Sequence, residues 1–228
     1  MRIKSEEIIE GVYQIGGAGI TNADDAAVYL IDFAGEQAMI DSGAGGSFLH
    51  LVNNIEELGF SPTKVSKLIL THCHIDHIGG APFFKKQYGS KIVIHELDAH
   101  AVEVGDSLKT AANLYGADFP PTKIDEILSG ENGMLKYVGD ALLWLHTPGH
   151  TPGSISLYLD RNGKRILFGQ DIHGPFHKSF DSDINAWKKS MIKLLELNAD
   201  ILCEGHFGIY QPKEQVREYI ERYIEEYD

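Results

Sequence analysis

The chain has 228 residues, 43% hydrophobic and 23% charged, the composition of a globular protein with a real core. A net charge of -13 without a basic run makes nucleic acid a poor partner, and no apolar run reaches the roughly 18 residues of a membrane span. Cys73 and Cys203 are too few for a disulfide framework, whereas eleven histidines are a first hint of metal chemistry. The opening "MRIKSEEIIEGVYQIGG" places charges where a signal peptide needs its apolar core, so a cytoplasmic protein is expected.

In chain order, "GVYQIGG", "AAVYLIDF" and "QAMIDSG" predict an antiparallel meander. Phe48, Leu49, Val52, Ile55 and Leu58 then fall at helical spacing. "KLILTH" predicts a short buried strand, "APFFKKQYG" a helix and "KIVIHE" a strand. From "ELDAHAVEVG" through "LKTAANLYG" the pattern is helical, until the two prolines of "ADFPPTK" break it. "LLWLHTPGH", "SISLYLD", "GKRILFGQD" and "ILCEGH" predict four more strands. "INAWKKSMIKLLEL" and "KEQVREYIERYIEEY" are amphipathic helices; the stripe Val216, Tyr219, Ile220, Tyr223 and Ile224 suits core packing or, second, a homo-oligomer contact. No linker splits the chain, so residues 1–228 are expected to form a single domain.

A loose internal symmetry runs through these elements. "AMIDSG", a helix and "LILTHCH" parallel "LFGQDIHG", a helix and "ILCEGHFG". Each half reads strand, Asp, helix, strand, His, which predicts two β/α halves packed face to face with their strand ends meeting at one edge, where open α/β sheets place ligands.

Polar residues end these strands: Asp41, the cluster His72 to His77, His146 or His150, Asp171 and His206. A lone strand-end histidine is usually structural, and "TPGH" or "DSG" alone is a turn. "THCHIDH" is different, because it packs three histidines and an aspartate into six residues. Imidazole and carboxylate together suit zinc, iron and related ions. Strand alternation turns Cys73 away from His72 and His74. Cys203 reads as core.

"THCHIDHIGG" resembles the His-x-His-x-Asp-His signature of the metallo-β-lactamase-fold superfamily. "DSG", "TPGHTPGS", "FGQD" and "EGHFG" follow in that family's order, covering residues from about 11 to 210. The resemblance implies an α/β fold, an αββα four-layer sandwich with its site along one edge between the sheets. It implies His72, His74 and His150 around a first metal, Asp76, His77 and His206 around a second, Asp171 bridging them and Asp41 supporting from behind. His146 is the decoy of His150.

Two divalent ions, zinc first with iron or manganese as alternatives, would share a bridging hydroxide and polarise a scissile bond. Asp76 would orient that hydroxide and pass a proton to the leaving group. The expectation is a glyoxalase-II-like metallo-hydrolase of a small-molecule thioester, lactone or other ester. Asp171 separates the chain from the antibiotic-degrading enzymes of that superfamily. The acidic tail lacks the basic glutathione-binding residues of true glyoxalase II, and Gln170 departs from the usual "GD" form. The alternatives are a mononuclear iron persulfide dioxygenase using His72, His150 and Asp171, a phosphodiesterase, and a metal-binding or sensing protein without turnover. Tyr115, in the segment Ala101 to Lys123, is a candidate for substrate selection, and His173 and His177 are candidate pocket residues.

Overall fold

Alternation along β3 (Val28–Phe33) shows how the layers arise. Val28 and Leu30 point into one core, and Tyr29, Ile31 and Phe33 into another, so the strand is covered on both faces. The computed structural model describes residues 5–227.

The first sheet has seven strands in chain order: β1 (Glu6–Ile9), β2 (Val12–Gly16), β3, β4 (Glu36–Ile40), β5 (Val65–Ile69), β6 (Lys91–His95) and β7 (Glu126–Leu128). The first four run antiparallel, and β4 to β7 run parallel. Parallel neighbours need crossovers. Helix α1 (Phe48–Glu57) joins β4 to β5, a single turn α2 (Ile75–Ile78) and then α3 (Ala81–Tyr88) join β5 to β6, and α4 (Glu96–Val104) follows β6.

The second sheet has six strands, β8 (Asn132–Tyr137), β9 (Asp140–His146), β10 (Ile155–Arg161), β11 (Lys164–Phe168), β12 (Ile201–Cys203) and β13 (Ile209–Tyr210), ordered β13-β12-β11-β10-β9-β8. β11 and β12 are parallel, joined by α5 (Ile184–Glu196), and the other neighbours are antiparallel. Helix α6 (Lys213–Glu226) packs beside α5.

Three apolar clusters define four layers. Leu51, Ile55, Phe84 and Val102 of the helices meet Leu30, Leu68 and Ile92 of the first sheet. Tyr29, Ile31 and Ile69 meet Trp144, Leu157 and Phe168 between the sheets. Trp187, Leu194 and Ile220 cover Leu167 and Leu202 on the outer face of the second sheet. This is the αββα sandwich implied by the sequence resemblance. Among the described residues no helix is long and apolar enough to cross a membrane.

Two differences from the sequence pattern have local causes. The helix read from Glu96 into "LKTAANLYG" stops at Val104, because Gly105 takes a left-handed φ of 67° and caps it. A short 3-10 turn, Ala112–Tyr115, is all that is helical in the second part. β8 carries no strong strand signal because only two of its six side chains, Leu135 and Tyr137, are buried.

Candidate metal centre

Every polar strand end lies on the same edge, at the C-terminal ends of β4, β5, β9, β11 and β12. His72 follows β5 by three residues, and the turn of α2 delivers Asp76 and His77 immediately afterwards. The backbone holds this loop down, since Ile75 N–H donates to Thr110 O at 2.8 Å. His150 comes from the loop after β9, Asp171 from the loop after β11, and His206 from the loop after β12.

These residues converge into two groups whose potential ligand atoms lie within 4.8 Å of one another: His72, His74, His150 and Asp171, and Asp76, His77 and His206. Asp171 divides its carboxylate between them. Oδ2 lies 3.2 Å from His150 Nε2 and 3.7 Å from His72 Nε2. Oδ1 lies 3.2 Å from His77 Nε2 and 3.4 Å from His206 Nε2. Asp76 Oδ2 closes the second group, 3.3 Å from His206 Nε2 and 3.6 Å from His77 Nε2. In the first group, His74 Nδ1 and His150 Nε2 are 2.8 Å apart. Gly205 permits this approach of the two halves, because a Cβ there would sit 2.5 Å from Asp171 Oδ1.

Asp41 stands one layer behind. Fully buried, it accepts from His77 Nδ1 (2.7 Å), Thr71 N (2.8 Å), Thr71 Oγ1 (2.7 Å) and Gln170 Nε2. Gln170 therefore has a role. It ties the β11 loop to the carboxylate that orients His77. Both residues hold left-handed backbone, Asp41 at φ 58° and Gln170 at φ 41°, a strain that residues other than glycine accept only under surrounding constraint.

The electrostatics differ between the groups. Burial, then neighbouring imidazoles, pushes His72 and His74 well below the ordinary histidine range, which favours the neutral rings that a metal binds. Burial opposes protonation of His77 and His206 too, but Asp171 and Asp76 outweigh it, raising His77 well above the usual range and His206 to about 10. Burial would raise Asp171 and Asp76, yet His77 and His206 hold both carboxylates low. The carboxylates thus demand positive charge. Protons on His77 and His206 supply it, and a divalent cation would supply more. Buried Nε2 atoms of His72, His74 and His77 and Oδ1 of Asp171 have no hydrogen-bond partner. Buried polar atoms are normally paired, so this donor set fits metal ions.

The remaining sequence candidates separate clearly. Tyr115 is partly exposed, and burial and the facing Asp76 carboxylate raise its phenol well above the usual value. His173 lies beside Asp171 and His206. His177 is exposed and bonds to Ser179 at 2.5 Å, outside these ligand groups. His146 stacks on His95, ring centroids 4.1 Å apart, and faces Pro152 O at 2.8 Å. Cys73 Sγ points to Lys109 O at 3.4 Å, and Cys203 is core.

Two buried carboxylates escape sequence reasoning. Asp98 of α4 accepts from Cys73 N (3.0 Å), Thr151 Oγ1 (2.7 Å) and Gly153 N (2.7 Å), pinning the His72 and His150 loops together. Its partners lie 25 to 55 residues away, so no local signal marks it. Glu204 accepts from His206 N at 2.7 Å; an acid ending the apolar run "ILCEGH" was the available signal.

Residues 21–206 match the family model of the metallo-beta-lactamase superfamily, and the chain belongs to that superfamily. It is 28% identical over 215 residues to the probable metallo-hydrolase YflN of Bacillus subtilis, covering 79% of this chain and 80% of that one. It is 33% identical over 183 residues to the hydroxyacylglutathione hydrolase GloC of Haemophilus influenzae, covering 76% and 80%. Among solved structures, the class B3 di-zinc metallo-beta-lactamase LRA-12 from an Alaskan soil metagenome superposes with a TM-score of 0.83 at 26% identity, over 99% of this chain and 93% of that one.

Proposed function

We propose that this chain is, over its whole length, one domain acting as a dinuclear metal-dependent hydrolase of a small-molecule thioester, lactone or other ester. The observation that carries the reading is the division of Asp171, with one oxygen facing His72 and His150 and the other facing His77 and His206. His72, His74, His150 and Asp171 would hold the first ion, and Asp76, His77, His206 and Asp171 the second. When bound, two zinc ions supply Lewis-acid polarisation of the scissile carbonyl and a nucleophilic water at neutral pH. Similarity to GloC favours an acyl substrate, and similarity to a di-zinc protein favours zinc.

The chain's own residues orient the reaction. Asp41 fixes the His77 tautomer through Nδ1 and leaves Nε2 facing the centre. Asp76, buried between His77 and His206 and held ionised by them, would accept a proton from the attacking water and pass it on to the leaving group. Tyr115 would offer its hydroxyl on the open side of Asp76. Metal analysis of protein purified without added metal, with a panel of thioesters, lactones, esters and phosphodiesters, tests the reading. Two zinc ions per chain with turnover of an acyl substrate are expected. One iron with sulfur-dependent O₂ uptake would replace hydrolysis by dioxygenase chemistry.

A further inference from the structure

His173 has no place in the ligand set above, yet it is built like a ligand. Its Nδ1 lies 2.8 Å from Oε1 of Glu204, a carboxylate with no solvent exposure. The other oxygen, Oε2, accepts from the backbone N–H of His206 at 2.7 Å and of Phe207 at 2.9 Å. The Tyr29 hydroxyl donates to Glu204 O at 2.8 Å, anchoring the residue to the first sheet. A carboxylate this buried must be hydrogen-bonded on both oxygens. Occupying Nδ1 of His173 leaves Nε2 as the ring nitrogen open to a ligand.

The same construction recurs at residues of the centre. His77 sets Nδ1 2.7 Å from Asp41 Oδ2, and His150 sets Nδ1 2.9 Å from Pro175 O. Backing one ring nitrogen with a carboxylate or carbonyl is what metal-binding histidines do. The placement is a second, independent observation. A ring nitrogen of His173, a carboxylate oxygen of Asp171 and a ring nitrogen of His206 lie within 4.8 Å of one another. The Tyr227 hydroxyl donates to His173 O at 3.0 Å, and Phe207 packs edge-on against the ring, centroids 4.6 Å apart.

Resting on the two-metal reading, we propose that His173, oriented by Glu204, is a further ligand of the second metal position. His173 would add a donor on the Asp171 and His206 side of that position, whose other side chains are Asp76 and His77. The two positions become chemically unequal. The second then suits an ion whose coordination can expand beyond four, zinc included, rather than forming a closed tetrahedral structural site.

Cobalt(II) titration of the metal-free full chain, followed by calorimetry and visible absorption, tests this. Wild type should take up two ions. His173→Ala should keep the first binding step, weaken the second by ~10-fold or more, and change the visible bands of the second ion; Glu204→Gln should weaken the same step by ~10–100-fold. His173→Cys gives a positive readout that does not depend on losing anything: a thiolate-to-cobalt charge-transfer band should appear with the second equivalent. An unchanged second step in His173→Ala, or no such band in His173→Cys, would overturn the proposal. Uptake of only one ion by wild type would instead overturn the two-metal reading, and the proposal with it.

Discussion

The two β/α halves use one topology and reach different ends. In the first, β4 and β5 are parallel, Ile40 pairs with Ile69, and Asp41 N donates to Ile69 O at 2.9 Å. In the second, β11 and β12 are parallel, Phe168 pairs with Cys203, and Gly169 N donates to Cys203 O at 3.1 Å. His72 and His206 each stand three residues beyond the last strand residue, so the histidines correspond. The aspartates do not. Asp41 occupies the place of Gly169, and Asp171 comes two residues later. Those two residues carry Asp171 out from the strand end into the centre, while Asp41 stays behind it. Position relative to the strand end, rather than residue type, separates a carboxylate that faces both histidine groups from one that stands behind them.

The sharpest way to break this contrast is to delete each aspartate. Asp171→Ala removes the side chain that faces both groups and should abolish measurable hydrolysis. Asp76→Ala acts on one group and on proton transfer, so kcat should fall by ~10²–10⁴-fold while the first ion is retained; full turnover would sink its role. Asp41→Ala should spare the chemistry more than either. It leaves His77, Thr71 and Gln170 without their acceptor, and the second ion should bind ~10–100-fold more weakly, read by competition with a chelator.

Proton linkage distinguishes the groups further. In chelator-treated protein, His206 and His77 have folded-state pKa values raised above the ordinary ~6.5. Their stabilising contribution is fully present below ~6.5 and is lost as pH rises, for His206 through about 10. Bound cations displace those protons, so the stability gap between metal-loaded and metal-free protein should widen from pH 7 to pH 10 in urea melts. A gap that narrows over that range would contradict the charge assignment. The smallest effect is expected at the rim. Tyr115→Phe removes one hydroxyl and should raise KM about 2–10-fold with metal content unchanged.

These differences also show what the sequence could reveal. The clustered histidines were legible because His150 and His206 each follow a strand and a glycine, and because His-x-His-x-Asp-His is a dense local pattern. Layer order came from the family resemblance, and the two halves from the internal symmetry; the nearly continuous apolar run of β3 agrees with a strand covered on both faces. Asp98 and Glu204 were not assigned roles, since a buried acid acquires its meaning from donors brought to it by the fold, and for Asp98 these come from two separate loops. Gln170 was visible as a departure from pattern, but its use required knowing that Asp41 lies within reach. The symmetry pairing Asp41 with Asp171 was half correct, because a two-residue offset cannot be seen until strand register is known.

Native mass spectrometry of zinc-loaded protein, wild type beside Asp171→Ala, tests the central claim most directly. Two ions per wild-type chain, and one or none in the folded variant, is the predicted result. A wild type holding one ion, or a variant that keeps both with undiminished affinity, would contradict a centre shared through Asp171.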